Sequence, residues 1–552
     1  MKINMNTIIA SIQTDFPPSG NYIIINADIT LSENTTIGNV FLEFQGGQIN
    51  LNGHILTFDG TTIIAPDYKL FIGSLDNIEG FLANAEINAD WFGAAEWHNV
   101  IAPVNKAFGL CKDDAIVVLP QRRYYLEDKI VISEKGRGLK CPGRIVYEYN
   151  QNGSNPDCAL ELQTDQLRID ICSLECNLTG NGMSGVLFSG NVHNSDINIG
   201  RILLFDKGLN FSPTLFTEEF HEEKDTNNNI IMVPTYSAGS QYNKIRWQII
   251  NCDIGLFINL WATNPSVVQE HTYTNGNQTI IAKHKVWVNE NYFLGGRINA
   301  NFGILTDHSS ESAFSNFDPD DEYHIDKNNG NVFENVSFEG ITNCAVNLYK
   351  TQLCRFYNIR MPSNLSGITH LIALDKCAFI DFHFKGYFNP RYLSATHSTG
   401  IKVDALIVDD NYSLIAEDAY LEVVSQNPTA FETNPCSKFV ARRRNAISAL
   451  TQRAFSATQT INLLDLFGST QVGDTVLTDE CDITVAENVT LTTETSGIVR
   501  TICPKLLIKA TVGLNSRILF SLNGNIVNSI SNNGSYIISF LYNTNNLQII
   551  QL

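Results

Sequence analysis

Three glutamates carry the residue type that cleavage of a polysaccharide would need: Glu290 in WVNENYF, and Glu334 and Glu339 in FENVSFEG. Glycoside hydrolysis places two carboxylates about 5–5.5 Å apart for retention, or roughly 6.5–9.5 Å for inversion. A lyase instead needs a base, with a cation or Arg steadying the charge that develops. Glu334 and Glu339 are an odd number of positions apart, so on one unbroken strand they face opposite sides. Without chemistry, all three are solvated exterior residues. Trp247, Trp261 and Trp287, with Tyr292, are the aromatic candidates for stacking on sugar rings, and the same side chains serve equally as core. The acidic group Asp318, Asp320, Asp321, Glu322 and Asp326 offers oxygen ligands but lacks the order of a calcium loop. It reads as a solvated acidic loop with His324 exposed beside it, so no metal site and no cofactor is expected. No GxSxG, Walker, Rossmann or HExxH pattern occurs.

The elements that would position such residues are strands. In 552 residues, hydrophobic side chains make up 43% and charged ones 17%, with Phe, Tyr, Val, Ile, Asn, Thr and Gly prominent. That length exceeds a single compact core and fits an elongated repetitive body. A net charge of -20 argues against a nucleic-acid partner. The basic run Arg442, Arg443 and Arg444 is too short to reverse this and reads as a solvated helix face. Twelve cysteines without a CxxC indicate buried thiols rather than a zinc site or disulfide framework. The amino end carries no signal-peptide core, and no run approaches the ~18 apolar residues of a membrane span. Synthesis in a reducing cytoplasm, with no membrane insertion, is therefore expected.

The middle of the chain repeats itself. Asn243 opens NKIRWQIINCDIGLFI, Asn291 opens NYFLGGRINANFGILT and Asn331 opens NVFENVSFEGITNCAVNL, with a weaker copy ending at Gly208. Gly208, Gly255, Gly303 and Ala345 recur at intervals of 47, 48 and 42 positions, which suits β-solenoid coils with loops inserted at their corners. The segments 211–240 and 306–330 read as long irregular insertions. Val100, Ile101, Val104, Ala107, Phe108 and Cys111 fall on one helical stripe, so a single amphipathic helix is predicted there. The stretch around 437–456 reads as helix or linker. The near-identical DITLSENTTI (28–37) and DITVAENVTL (482–491) each read as strand, turn, strand.

The segment 89–132 resembles the start of the pectate-lyase-like β-helix of phage tailspikes and tail fibres. In that family a WFGA-type strand leads into a capping helix, and a V-x-LP-x-x-x-Y strand opens the first coil. The matching pieces are Trp91, Phe92, Gly93 and Ala94, then Val117, Val118, Leu119 and Pro120 with Tyr124 and Tyr125. Where the family continues with a KGDG-x-TDDT-like turn, this chain has Ala95, Glu96, Trp97 and His98. LEFQGGQI (42–49) is similar to a small β-solenoid ahead of the cap, and GSYIISFLYNTNNLQII to the closing strand pair of a fibre tip.

The resemblance implies an all-β fold: a right-handed parallel β-helix with an N-terminal capping helix and a C-terminal β-domain. The expected division is an N-terminal β segment for virion attachment (1–88), the capped β-helix (89–435), and a helical linker with a C-terminal β tip (436–552). It further implies a homotrimer in the virion tail beside other tail proteins, with a bacterial surface polysaccharide or receptor as partner. An active capsular or exopolysaccharide depolymerase on the same scaffold is the alternative. A secreted bacterial carbohydrate-active enzyme is a third reading, which the amino end disfavours.

Overall fold

The computed structural model describes residues 21–552 except 152, 216, 225–229, 260–271, 276–277, 282, 308–327, 363–364, 389–391, 397, 399–400, 407–411, 417–419, 426–430, 435–437, 444–450, 456–458, 463–474, 478–479, 486–488, 494–504, 513–516, 523–524 and 542–545. The described chain is nearly all β, with long parallel sheets and one α-helix. It forms two compact units, Met1–Ala300 with Leu305–Lys327, and Asn301–Ile304 with Asn328–Leu552.

The first unit begins with short parallel strands that recur about every twenty residues. Ile29 pairs with Ile49, and Ile49 with Phe71. Thr35–Gly38 pairs with Leu56–Ile64, which pairs with Ile78–Leu82. The chain then enters longer turns of strand. One parallel stack runs through Glu86–Asn88, Ile116–Val118, Gly138–Tyr147, Arg168–Cys176, Asp196–Leu203 and Lys244–Asn251. A second runs through Ile130–Ile132, Cys158–Leu162, Ser184–Phe188, Lys207–Phe211 and Ile254–Ile258. A third holds Val192–His193, Ile230–Gln241 and Lys283–Asn289. The repeat glycines fall into register: Lys207 and Leu209 face Ile254 and Leu256, which sets Gly208 beside Gly255.

Side chains alternate in and out of the first stack, and the inward rows carry Ile, Leu, Val and Phe. Phe188 stacks on Phe211 with ring centroids 4.2 Å apart. Each such buried ring contributes roughly 1.5–3 kcal/mol. A polar line also runs through this interior. Ser195 Oγ accepts from the Leu167 amide (3.0 Å), Asn243 Oδ1 from the Ser195 amide (2.9 Å), and Asn291 Oδ1 from the Asn243 amide (3.2 Å). Asn at the head of each repeat therefore satisfies buried backbone where the chain turns into the next strand. The residue before each of these is left-handed: Gln166, Asn194, Tyr242 and Glu290 have φ of 57°, 51°, 56° and 52°.

The expected helix is Ile101–Gly109, with Pro103, Val104, Ala107 and Phe108 buried. The buried Arg137 donates to the Phe108 and Cys111 carbonyls, placing a cation at the helix C-terminus. WFGA is not a strand but a 3-10 turn, Ala89–Phe92, ended by Gly93 at φ 96°. Segment 211–240, expected to be irregular, contains an antiparallel hairpin, Thr217–Lys224 against Ile230–Gln241.

In the second unit one parallel stack runs from Val332–Glu334 through Arg355–Ile359, Asp381–Tyr387, Ile401–Leu406, Tyr420–Ser425 and Lys438–Arg443 to Thr475–Leu477. A companion stack joins Cys344–Tyr349, Ile372–Asp375, Leu393–Thr396, Tyr412–Ala416 and Phe431–Asn434. Phe333, Phe356 and Phe382 stack face to face at 4.6 Å. Arg442 and Arg443 lie on a strand rather than on the helix expected for them, and Thr451–Phe455 is also a strand. Residues 28–37 fold as strand, turn, strand, and in 482–491 the described residues belong to two strands, Glu480–Val485 and Val489–Thr493. The pairing turns antiparallel near the carboxyl end, where Gly534–Leu541 pairs with Lys505–Val512 and with Asn546–Gln551.

Candidate functional site

Three of the residues singled out in the sequence meet at one corner of the first unit. The third stack sets Gly239 in register with Trp287, and His193, Gln241 and Asn289 in one row. A Cβ on Gly239 would lie 2.5 Å from the Trp287 indole, so the glycine lets that ring lie down across the neighbouring strand. From there the indole reaches the His193 ring, with centroids 5.8 Å apart. Three residues on, the chain turns through the left-handed positions Tyr242 and Glu290, which project the Tyr242 ring 54% exposed and the Glu290 carboxylate into solvent. Tyr292, 53% exposed, follows on the next outward position.

The Glu290 carboxylate accepts from Gln241 Nε2 at 2.8 Å and from the Tyr242 hydroxyl. These bonds hold it below the usual carboxylate range, and the same contact raises the Tyr242 hydroxyl. A carboxyl held ionised cannot serve as the general acid of a glycosidase, which needs a raised pKa. The corner thus offers two exposed aromatic faces, an indole over bare backbone, and a fixed acceptor among donors. That inventory suits recognition of hydroxyl-rich rings.

The other candidates are placed differently. Trp247 is 4% exposed, and its ring lies where a side chain on Gly295 would be, so it belongs to the core. Trp261, the acidic group from Asp318 to Asp326, and His324 lie outside the described residues. Glu334 and Glu339 do not share one strand: the positive φ of Asn335 (60°) separates Val332–Glu334 from Ser337–Glu339. Each glutamate follows a buried phenylalanine, Phe333 or Phe338, so both face outward, against the opposite facing expected of an unbroken strand. Beside Glu334, in register, stands Tyr357, whose ring stacks on His383 of the following strand at 5.0 Å, next to a register shift.

Among the described residues one group has metal-donor geometry, Asp157, Cys158 and Glu161. Its cation is already supplied by Lys129, whose Nζ lies 2.6 Å from Glu161 and 3.1 Å from Asp157. Burial alone would raise the Glu161 carboxyl, but donation from Lys129, Ser189 and Gln163 outweighs it and keeps the group low. Nine cysteines among the described residues are free thiols, eight of them buried. Burial pushes Cys252 and Cys344 up to about 12, which makes them inert at neutral pH. No helix among the described residues is long and apolar enough to cross a membrane.

No family model and no curated protein matches the sequence. Among solved structures, ORF18 of Geobacillus virus E2 aligns over 85% of this chain and 76% of its own, at 10% identity and a TM-score of 0.29. PfbA, a surface adhesin of Streptococcus pneumoniae, aligns over 85% of this chain and 98% of its own, also at 10% identity and a TM-score of 0.29. Likenesses that loose bear on neither the fold nor the function of this chain.

Proposed function

We propose that the chain is a bacteriophage tailspike or tail-fibre component, a right-handed parallel β-helix that works as a homotrimer on the virion tail and attaches to a glycan of the bacterial surface. The observation that carries the binding part is the corner where the exposed Tyr242, Glu290 and Tyr292 flank the half-buried Trp287. The rotation of the chain through three parallel stacks supports the β-helix, and the cap at 89–132 supports the family. Purified full-length protein should sediment at three times the 61.4 kDa chain and bind host cells. Tyr242→Ala with Trp287→Ala should weaken that binding at least tenfold, the loss of about 1.4 kcal/mol or more, while the melting profile stays that of a folded protein. Undiminished binding would remove the corner from the reading.

Depolymerisation is the second reading, supported by Glu334, which stands in register with Tyr357, and by His383, which stacks on Tyr357 and offers with Glu334 an acid-base pair. Incubation with host capsular polysaccharide decides it. Reducing ends that vanish in Glu334→Gln would establish cleavage there, whereas no release alongside cell binding leaves an adhesin.

A further inference from the structure

The outward face of the long stack in the first unit carries a line of arginines in a chain whose net charge is -20. Register pairs Arg123 with Arg144, Arg144 with Ser173, and Ser173 with Arg201, and the line continues past Ile249 to Arg297. Trp97 stands at its start, its amide donating to the Arg123 carbonyl at 2.8 Å. In the neighbouring rows the charged groups have partners: Arg246 is paired with Asp196 at 2.6 Å, and Asp170 accepts from Asn198 at 2.8 Å. Within the line Arg144 has Glu175 at 4.0 Å. Arg123 and Arg201 differ. Nε of each is buried without a hydrogen-bond partner, and among the described residues neither guanidinium reaches a carboxylate.

The guanidinium of Arg123 lies over the Trp97 ring at 4.8 Å and over Tyr125 at 5.6 Å. Trp97 is 54% exposed and left-handed at φ 64°, a backbone conformation that a bulky side chain adopts at a cost. A guanidinium held flat on aromatic rings keeps its N–H edge free for a carboxylate, which it can grip with two bonds.

We propose that Trp97, Arg123, Arg144 and Arg201 form a binding line for a carboxylate-bearing polysaccharide, with one sugar ring on Trp97 and successive carboxylates on the arginines. Three strand spacings, about 14 Å in all, separate Arg123 from Arg201, a length for several sugar units in line. A nucleic acid fits less well, because single-stranded bases stack on successive aromatic side chains and the line offers one exposed ring. This site rests on the attachment reading only for the class of ligand, and it uses none of the residues of the Tyr242 corner.

The test is titration of the full-length protein with polygalacturonate, dextran, dextran sulfate and a single-stranded oligonucleotide. Polygalacturonate should bind and neutral dextran should not. Arg123→Gln with Arg201→Gln should lower the affinity at least tenfold, and Arg123→Lys with Arg201→Lys should recover only part of it. Circular dichroism confirms that each variant is folded. Binding that the glutamine pair leaves unchanged, no binding of polygalacturonate, or tighter binding of dextran sulfate or the oligonucleotide with full rescue by lysine would overturn the proposal. Loss of host-cell binding in the Tyr242 and Trp287 variant with polygalacturonate binding intact would leave it standing, so the two readings fail separately.

Discussion

Asp90 shows how one residue can set a pH dependence. It is 1% exposed; one oxygen is bonded to Arg122 at 2.5 Å and the other is buried without a partner. Burial pushes its carboxyl up to about 6, more than Arg122 pulls it down. Unfolded, the group titrates near 3.8. The folded state therefore binds more protons between roughly pH 4 and 6, and the contribution to stability present below that window is lost as pH rises through it. Asp90→Asn should flatten this fall and stabilise the chain at pH 8, by on the order of 1–3 kcal/mol. Melting temperatures of both proteins at pH 5 and pH 8 measure the difference. Parallel profiles would mean that Arg122 fully compensates the buried charge.

At the scale of strands, the repeat glycines are close-packed. A Cβ on Gly208 would sit 2.6 Å from the Gly255 carbonyl oxygen and 2.7 Å from Ile250. Gly208→Ala must push two strands apart and should destabilise by about 1–3 kcal/mol or more, whereas Gly109→Ala, in the helix with open space around it, should be neutral or stabilising by roughly 0.5–1 kcal/mol. Denaturant midpoints of the two variants check the contrast, and equal effects would contradict the packing.

The interval between these glycines was visible in the sequence because one small residue recurs wherever two strands touch through backbone. Asn243 and Asn291 were visible for a similar reason, each being fixed by buried amides that need an acceptor. The corner site was only half visible. Trp287, Glu290 and Tyr292 lie close together in the chain, but His193, Gly239 and Tyr242 reach them only through register across inserted loops. No local pattern encodes such pairing. Tyr242 and Glu290 occupy left-handed positions that usually favour Gly or Asn, so the turn itself gave no signal. The arginine line was hidden similarly, since Arg123, Arg144, Arg201 and Arg297 are 21, 57 and 96 positions apart and align only once a register shift near Cys141 and Arg144 is known.

For the molecule as a whole, the arginine line works against its surroundings. A net charge of -20 repels an acidic polysaccharide over tens of ångströms at low ionic strength. Screening shortens that reach to about 30 Å at 0.01 M, ~10 Å at 0.1 M and ~3 Å at 1 M salt. A guanidinium-carboxylate contact acts within about 4 Å, so it survives until salt is far higher than the level that removes the long-range repulsion. Affinity for polygalacturonate should therefore rise from 0.01 M salt to a maximum near about 0.1 M and fall beyond it. The glutamine pair at Arg123 and Arg201 should lose the falling limb and keep the rise. Titration at five or six salt concentrations measures both limbs. A steady fall from the lowest salt would mean that the local line outweighs the global charge at every distance, and a steady rise would mean that the arginines contribute nothing.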